Sequence, residues 1–170
     1  LASAEGYTPR ATRLIEGRYA NPVIVLDELD KACGGSYDPV GPLYQLFRKA
    51  RLDDVVGPVF DRVIEDDAWP AHLDKITDFW SAMLLGTGRY HGRPMPKHLD
   101  IGELADPHFE RWLALFRQTA EEICPPHVAA LFVDRAERVG NNFRYGIAVR
   151  EGRDTRKLVP IKAGPPPERG

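Results

Sequence analysis

The sequence predicts a mainly helical domain preceded by a short α/β stretch, and three observations carry that reading. Apolar residues recur at three- and four-residue steps in three segments between His72 and Val139, the spacing of helices with one buried face. Proline and glycine punctuate the ends of these segments rather than their middles. The one run that reads as a strand, Val23 to Lys31, lies apart from them near the N-terminus.

Composition sets the outer bounds. With 170 residues, 43% of them hydrophobic, and a formal charge of -2, the chain can bury one real core and shows no charge bias toward nucleic acid or a membrane surface. No run of 18 apolar residues and no secretory signal are present, so the expectation is a cytoplasmic protein with no nucleic-acid or membrane partner. Cys33 and Cys124 fall in unlike segments without C-x-x-C spacing and read as reduced thiols. A chain that begins with Leu1 reads as a processed product or a fragment.

From the N-terminus, Thr8-Pro9 pairs a capping hydroxyl with proline at the first helical position, and Leu14 and Ile15 give the short helix an apolar face. Asn21-Pro22 breaks it. Val23 to Lys31 then reads as a buried strand whose four aliphatic residues run into two carboxylates, Asp27 and Glu28. Further on, Leu73, Ile76, Phe79, Trp80, Met83 and Leu84 share one helical face that begins at His72. From Gly86 to Pro96, three glycines and two prolines predict a loose turn before Lys97 and His98. Asp106-Pro107 opens another helix, traced by Phe109, Trp112, Leu113, Phe116, Ala120 and Ile123 and ended by Pro125-Pro126. Val128, Leu131, Phe132, Arg135, Ala136 and Val139 trace the last one, which Gly140-Asn141-Asn142 is expected to interrupt. Arg150 to Gly170, charged and then proline-rich, reads as a solvated tail.

Two imidazoles, His72 and His98, thus bracket an apolar face and a turn. That pattern suits a haem, which needs apolar contact, one neutral imidazole on the iron and a polar group opposite. His98 is the stronger candidate ligand, because His91 lies inside the Gly/Pro turn whereas His98 follows it with Leu99 and Ile101 beside it.

The phrase WPAHLDKITDFWSAMLLGTGRYHGRPMPKHL, followed by PHFERWLALFRQTAEEICPP, closely resembles the truncated haemoglobins of the third group, over roughly Asp53 to Ala148. LFRKARLDDVVGPVF resembles their second helix, with Val56 to Phe60 matching well. The resemblance implies a truncated globin fold, two helices packed on two, over residues 45–149. It implies haem b as cofactor, His98 as the iron ligand, and O₂, NO or a related gas as ligand. It places His72, Trp112 and Phe47 on the ligand side, with Phe60, Phe79 and Tyr90 also lining the cofactor. Phe47 stands where the family often has a tyrosine. NO dioxygenase or peroxidase-like activity and a reductase partner are possible extensions of the resemblance.

The phrase TPRATRLIEGRYANPVIVLDELDKACGGSYDPVGPLYQL resembles the ATPase module of Lon-type proteases, with Asp27 and Glu28 at the Walker B positions. There the aspartate helps hold Mg²⁺ and the glutamate polarises the attacking water. No G-x-x-x-x-G-K-[ST] phosphate loop occurs in the chain, so residues 1–44 read as an incomplete ATPase segment with no ATP hydrolysis expected. The junction is expected near Leu43 to Lys49, with the ATPase-like stretch in the place of the family's first helix. A nucleotide-binding fragment and a non-functional fusion are the alternative readings.

Overall fold

A computed structural model of the chain describes residues 40–86 and 88–165. The expected N-terminal helix, the Val23 to Lys31 strand, Asp27, Glu28 and Cys33 all lie outside the described residues. Within them the architecture is helical: α1 (Val40–Arg51), α2 (Gly57–Val63), α3 (Trp69–Leu85), α4 (Pro94–Asp100), α5 (Asp106–Ile123) and α6 (Pro126–Arg150), with single 3₁₀ turns at Asp66–Ala68 and Thr155–Lys157.

The long helices α5 and α6 are joined only by Cys124 and Pro125 and pack along each other, while α1 packs on both α5 and α3, and α3 reaches α6. The result is a sandwich of two helices on two. Its centre is Leu46, Trp80, Leu84, Leu113, Phe116, Val128 and Phe132, each at most 2% exposed. The expected junction near Leu43 to Lys49 falls inside the continuous helix α1, and Leu43 and Leu46 are part of the core.

Asp53 fixes the corner between α1 and α2. Its Oδ1 accepts hydrogen bonds from the backbone N–H of Val55 (2.9 Å) and Val56 (3.1 Å), and its Oδ2 accepts one from Arg111 Nε at 2.6 Å. Gly57 is required there, since a Cβ would stand 2.6 Å from the carbonyl oxygen of Arg51.

Helix α3 ends as the sequence predicts, at Gly86, whose φ of 60° is the left-handed conformation that glycine adopts without penalty. The loop after it is shorter than expected. Pro94 and Pro96 open α4 rather than belonging to the turn, because the first helical turn has no use for their missing N–H groups.

The C-terminal expectations need two corrections. Gly140-Asn141-Asn142 does not interrupt the last helix, which continues to Arg150. The stretch after it is not a solvated tail as far as residue 165. Ala163 is 7% exposed, and Ile161 packs against the core. Among the described residues the backbone of this strap has no strand partner, and side chains of α5 and α6 satisfy it. Asn141 exchanges two hydrogen bonds with Ile161 (2.8 and 2.9 Å), Arg144 donates to the Val159 carbonyl (3.0 Å), the Ala163 N–H donates to Glu137 (2.8 Å), and Arg117 donates to the Ala163 carbonyl (3.1 Å).

Candidate functional site

Two adjacent stripes run along α3. Trp80 and Leu84 point into the core, whereas His72, Ile76, Phe79 and Met83, at steps of four, three and four, form a half-buried stripe beside it. Pro70 near the helix start and the 3₁₀ turn before it set where this stripe begins. Trp69 meets the His72 ring edge-on at 5.7 Å, and Phe60 of α2 lies 5.7 Å from Trp69 on its other side. The Arg51 guanidinium covers the Trp69 ring at 4.7 Å. Trp69 Nε1 is buried and has no hydrogen-bond partner among the described residues.

His98 sits on α4, half-buried. Its Nδ1 lies 2.9 Å from the carbonyl oxygen of Pro94, one helical turn earlier. A carbonyl can only accept, so Nδ1 carries the proton and Nε2 keeps its lone pair. Burial pushes the His98 pKa below that of a free histidine, against the opposing effect of the Pro94 hydrogen bond. His72 is lowered as well, first by burial and then by the charges of Lys75 and His98. Both imidazoles are thereby shifted toward the neutral form, the form that binds a metal.

Among the other predicted residues, Trp112 of α5 stacks on Trp80 (6.1 Å, 26°) and tilts against Phe116, half-buried. Phe47 of α1 is 5% exposed and belongs to the core cluster. Phe79 packs edge-on against Tyr90 at 5.2 Å, and burial raises the Tyr90 pKa. His91 is exposed in the loop. The structure thus brings His72, Phe79 and Tyr90 to one half-buried apolar face, with Phe60 at its Trp69 end, while Trp112 reaches it through Trp80 and Phe47 lies in the core. The sequence reading missed Trp69 and Phe143. Phe143 stacks on His98, and it continues the Phe132, Ala136, Val139 spacing at a step of four, so following the period through Gly140 would have found it.

The donor set fits a haem. His98 Nε2 on α4 would hold the iron, His72 would be the polar group, and Ile76, Phe79, Met83, Trp112 and Phe143 offer partly buried apolar surface to a flat ring system. An open cavity of about 820 Å³ between α5 and the strap is a poorer candidate. Its Asp106, Arg144 and Arg111 are already committed, the first two to each other and the third to Asp53. Among the described residues no three metal-ligating side chains cluster together.

Helices packed two on two in this order are the arrangement of a truncated globin. Comparison with known proteins gives the same class: the chain is 34% identical over 110 residues to the group 3 truncated hemoglobin ctb of Campylobacter jejuni, an alignment covering 63% of this chain and 87% of that protein. The crystal structure of a group III truncated hemoglobin from Campylobacter jejuni superposes with a TM-score of 0.58 at 28% identity, covering 75% of this chain and 91% of the other. No protein-family model matches the chain. The chain belongs to the group 3 truncated haemoglobins. Among the described residues, no helix is long and apolar enough to cross a membrane.

Proposed function

We propose that the chain binds haem b through His98 Nε2 and takes a small gaseous ligand, O₂ or NO, on the side of His72. The observation that carries this reading is the pair of half-buried imidazoles, each held toward its neutral form, beside an apolar face on α3. Haem supplies an iron centre that binds diatomic gases and changes valence. His98 anchors it, with the Pro94 carbonyl holding the ring in the tautomer that leaves Nε2 available. His72 and the Trp112 indole N–H are the polar groups available to a ligand. Phe47, which the family resemblance puts on the ligand side, is hydrocarbon and offers no hydrogen-bond donor. Turnover of NO or peroxide, as opposed to reversible binding, would need an electron-donating reductase as partner.

The test is an absorption spectrum of the purified protein together with two histidine variants. A Soret band is expected for the native chain and for His91→Ala, with haem lost or its spectrum altered in His98→Ala. Retention of the native spectrum by His98→Ala, with loss in His91→Ala, would assign the iron to the wrong-side histidine and sink the proposal.

A further inference from the structure

Helix α4 cannot place its own histidine. It is seven residues long, has no fully buried residue and no side-chain hydrogen bond at its N-cap, and one helical turn is marginal without tertiary support. The support comes from one face of α6. At Gly146 a Cβ would stand 2.6 Å from Met95 Sδ and 3.8 Å from Leu99 Cδ2, so these two side chains of α4 lie directly against α6 there. Arg150, one turn further, pairs with Asp100 at 3.0 Å. Phe143, one turn before, lies flat on the His98 ring with centroids 3.9 Å apart and planes within 13°.

The Pro94 carbonyl constrains His98 in the plane of the ring, through one hydrogen bond at one edge. It does little against tilting about that edge. A parallel aromatic face resists this tilt, because leaving the stack forfeits contact over the whole ring. We infer that Phe143 is a positioning residue: by stacking on His98 it fixes the orientation in which the imidazole presents Nε2 to a metal. This inference rests on the reading of His98 as the iron ligand.

The experiment compares full-length Phe143→Leu, Phe143→Met and Phe143→Tyr with the native protein. In the haem-free chain, nitrogen-15 NMR of the His98 ring reports its tautomer and mobility. In the haem-loaded chain, the ferrous iron–histidine stretching band and the rate of haem transfer to an excess of apo-globin report the presented ligand. Loss of a flat stacking partner is expected to speed haem transfer by about two- to tenfold, to broaden or shift the stretching band, and to mix the ring tautomers. Phe143→Tyr, which keeps the flat face, should restore all three readouts to within about twofold of native. Leucine and methionine are both included so that a folding failure of one leaves the other to decide. Native ring signals, band and transfer rate in the folded leucine or methionine variant would make Phe143 core filling only and overturn the inference. A His98→Ala protein with unchanged haem spectrum would overturn the ligand assignment instead, and the two failures are distinguishable.

Discussion

Asn141 carries the attachment of the C-terminal strap, and its removal has a calculable effect. Its Nδ2 donates to the Ile161 carbonyl at 2.9 Å and its Oδ1 accepts from the Ile161 N–H at 2.8 Å, so one side chain imitates a strand neighbour for a residue that has none. Asn141→Ala removes both bonds, together with the Nδ2 bond to the Glu137 carbonyl (2.8 Å) and the bond that Oδ1 accepts from Arg144 (2.9 Å), and leaves two part-buried backbone groups of the strap to find water. At about 0.5–1.5 kcal/mol net for each of the four bonds, the loss is about 2–6 kcal/mol, or a fall in Tm of roughly 4–24 °C for a domain of this size. Alanine also improves helix propensity over asparagine by up to about 0.7 kcal/mol, which would mask part of the loss. Asn142→Ala, at the exposed neighbouring position, measures that gain by itself. Urea unfolding of both variants, followed by circular dichroism, should place Asn141→Ala below Asn142→Ala by about 2–6 kcal/mol. Limited proteolysis should cut the strap faster in Asn141→Ala alone. Equal stabilities for the two variants would refute the argument.

Two further outcomes follow from the site and the core. With haem bound, Phe47→Tyr would add a donor to a hydrocarbon wall, and one hydrogen bond of about 0.5–1.5 kcal/mol should slow O₂ release about two- to tenfold; stopped-flow release rates equal to native would remove Phe47 from the ligand side. Asp106 is held below its ordinary pKa first by its hydrogen bonds to Arg144, at 2.7 and 2.8 Å. A depressed carboxylate contributes stability that is complete above its unfolded value near 3.8 and is lost as pH falls through the folded value. Asp106→Asn should therefore be less stable than native at neutral pH, since Arg144 is buried and would lose its counter-charge, and the two proteins should converge in acid; a constant gap from pH 7 down to the acid transition would contradict this.

Much of the candidate site's placement on the helices was legible because its residues obey helical spacing or stand beside turn chemistry. His72 heads the α3 pattern, Gly86 ends it, and His98 follows the prolines. The α4 boundary was misjudged since Pro94 and Pro96 look like breakers, although proline is well tolerated within a first turn. Gly140-Asn141-Asn142 was misread for a related reason: glycine and asparagine are poor helix formers, but tertiary packing outweighs about 1 kcal/mol of propensity when a helix is buried on several sides. Gly140 would place a Cβ only 3.8–3.9 Å from Phe109 and Leu113, an ordinary contact distance, so the structure gives it no steric need to be glycine.

The strap escaped the sequence for a deeper reason. Hydropathy reads a buried surface by its apolar residues, yet Glu137, Asn141 and Arg144 form a polar stripe on α6 that is itself buried or half-buried. Such a stripe looks like a solvated face. It is covered because its partner is irregular backbone, whose N–H and C=O groups need polar neighbours and cannot be met by leucine or valine. The same helix, a few residues apart, turns a second face made of Phe143, Gly146 and Arg150 toward α4. One face holds the strap and the other holds the helix that carries His98. A displacement of α6 beyond Gly140 must therefore act on both, which is why the stretch that reads as the end of a helix is the place where the C-terminal strap and the candidate ligand are tied to the same core.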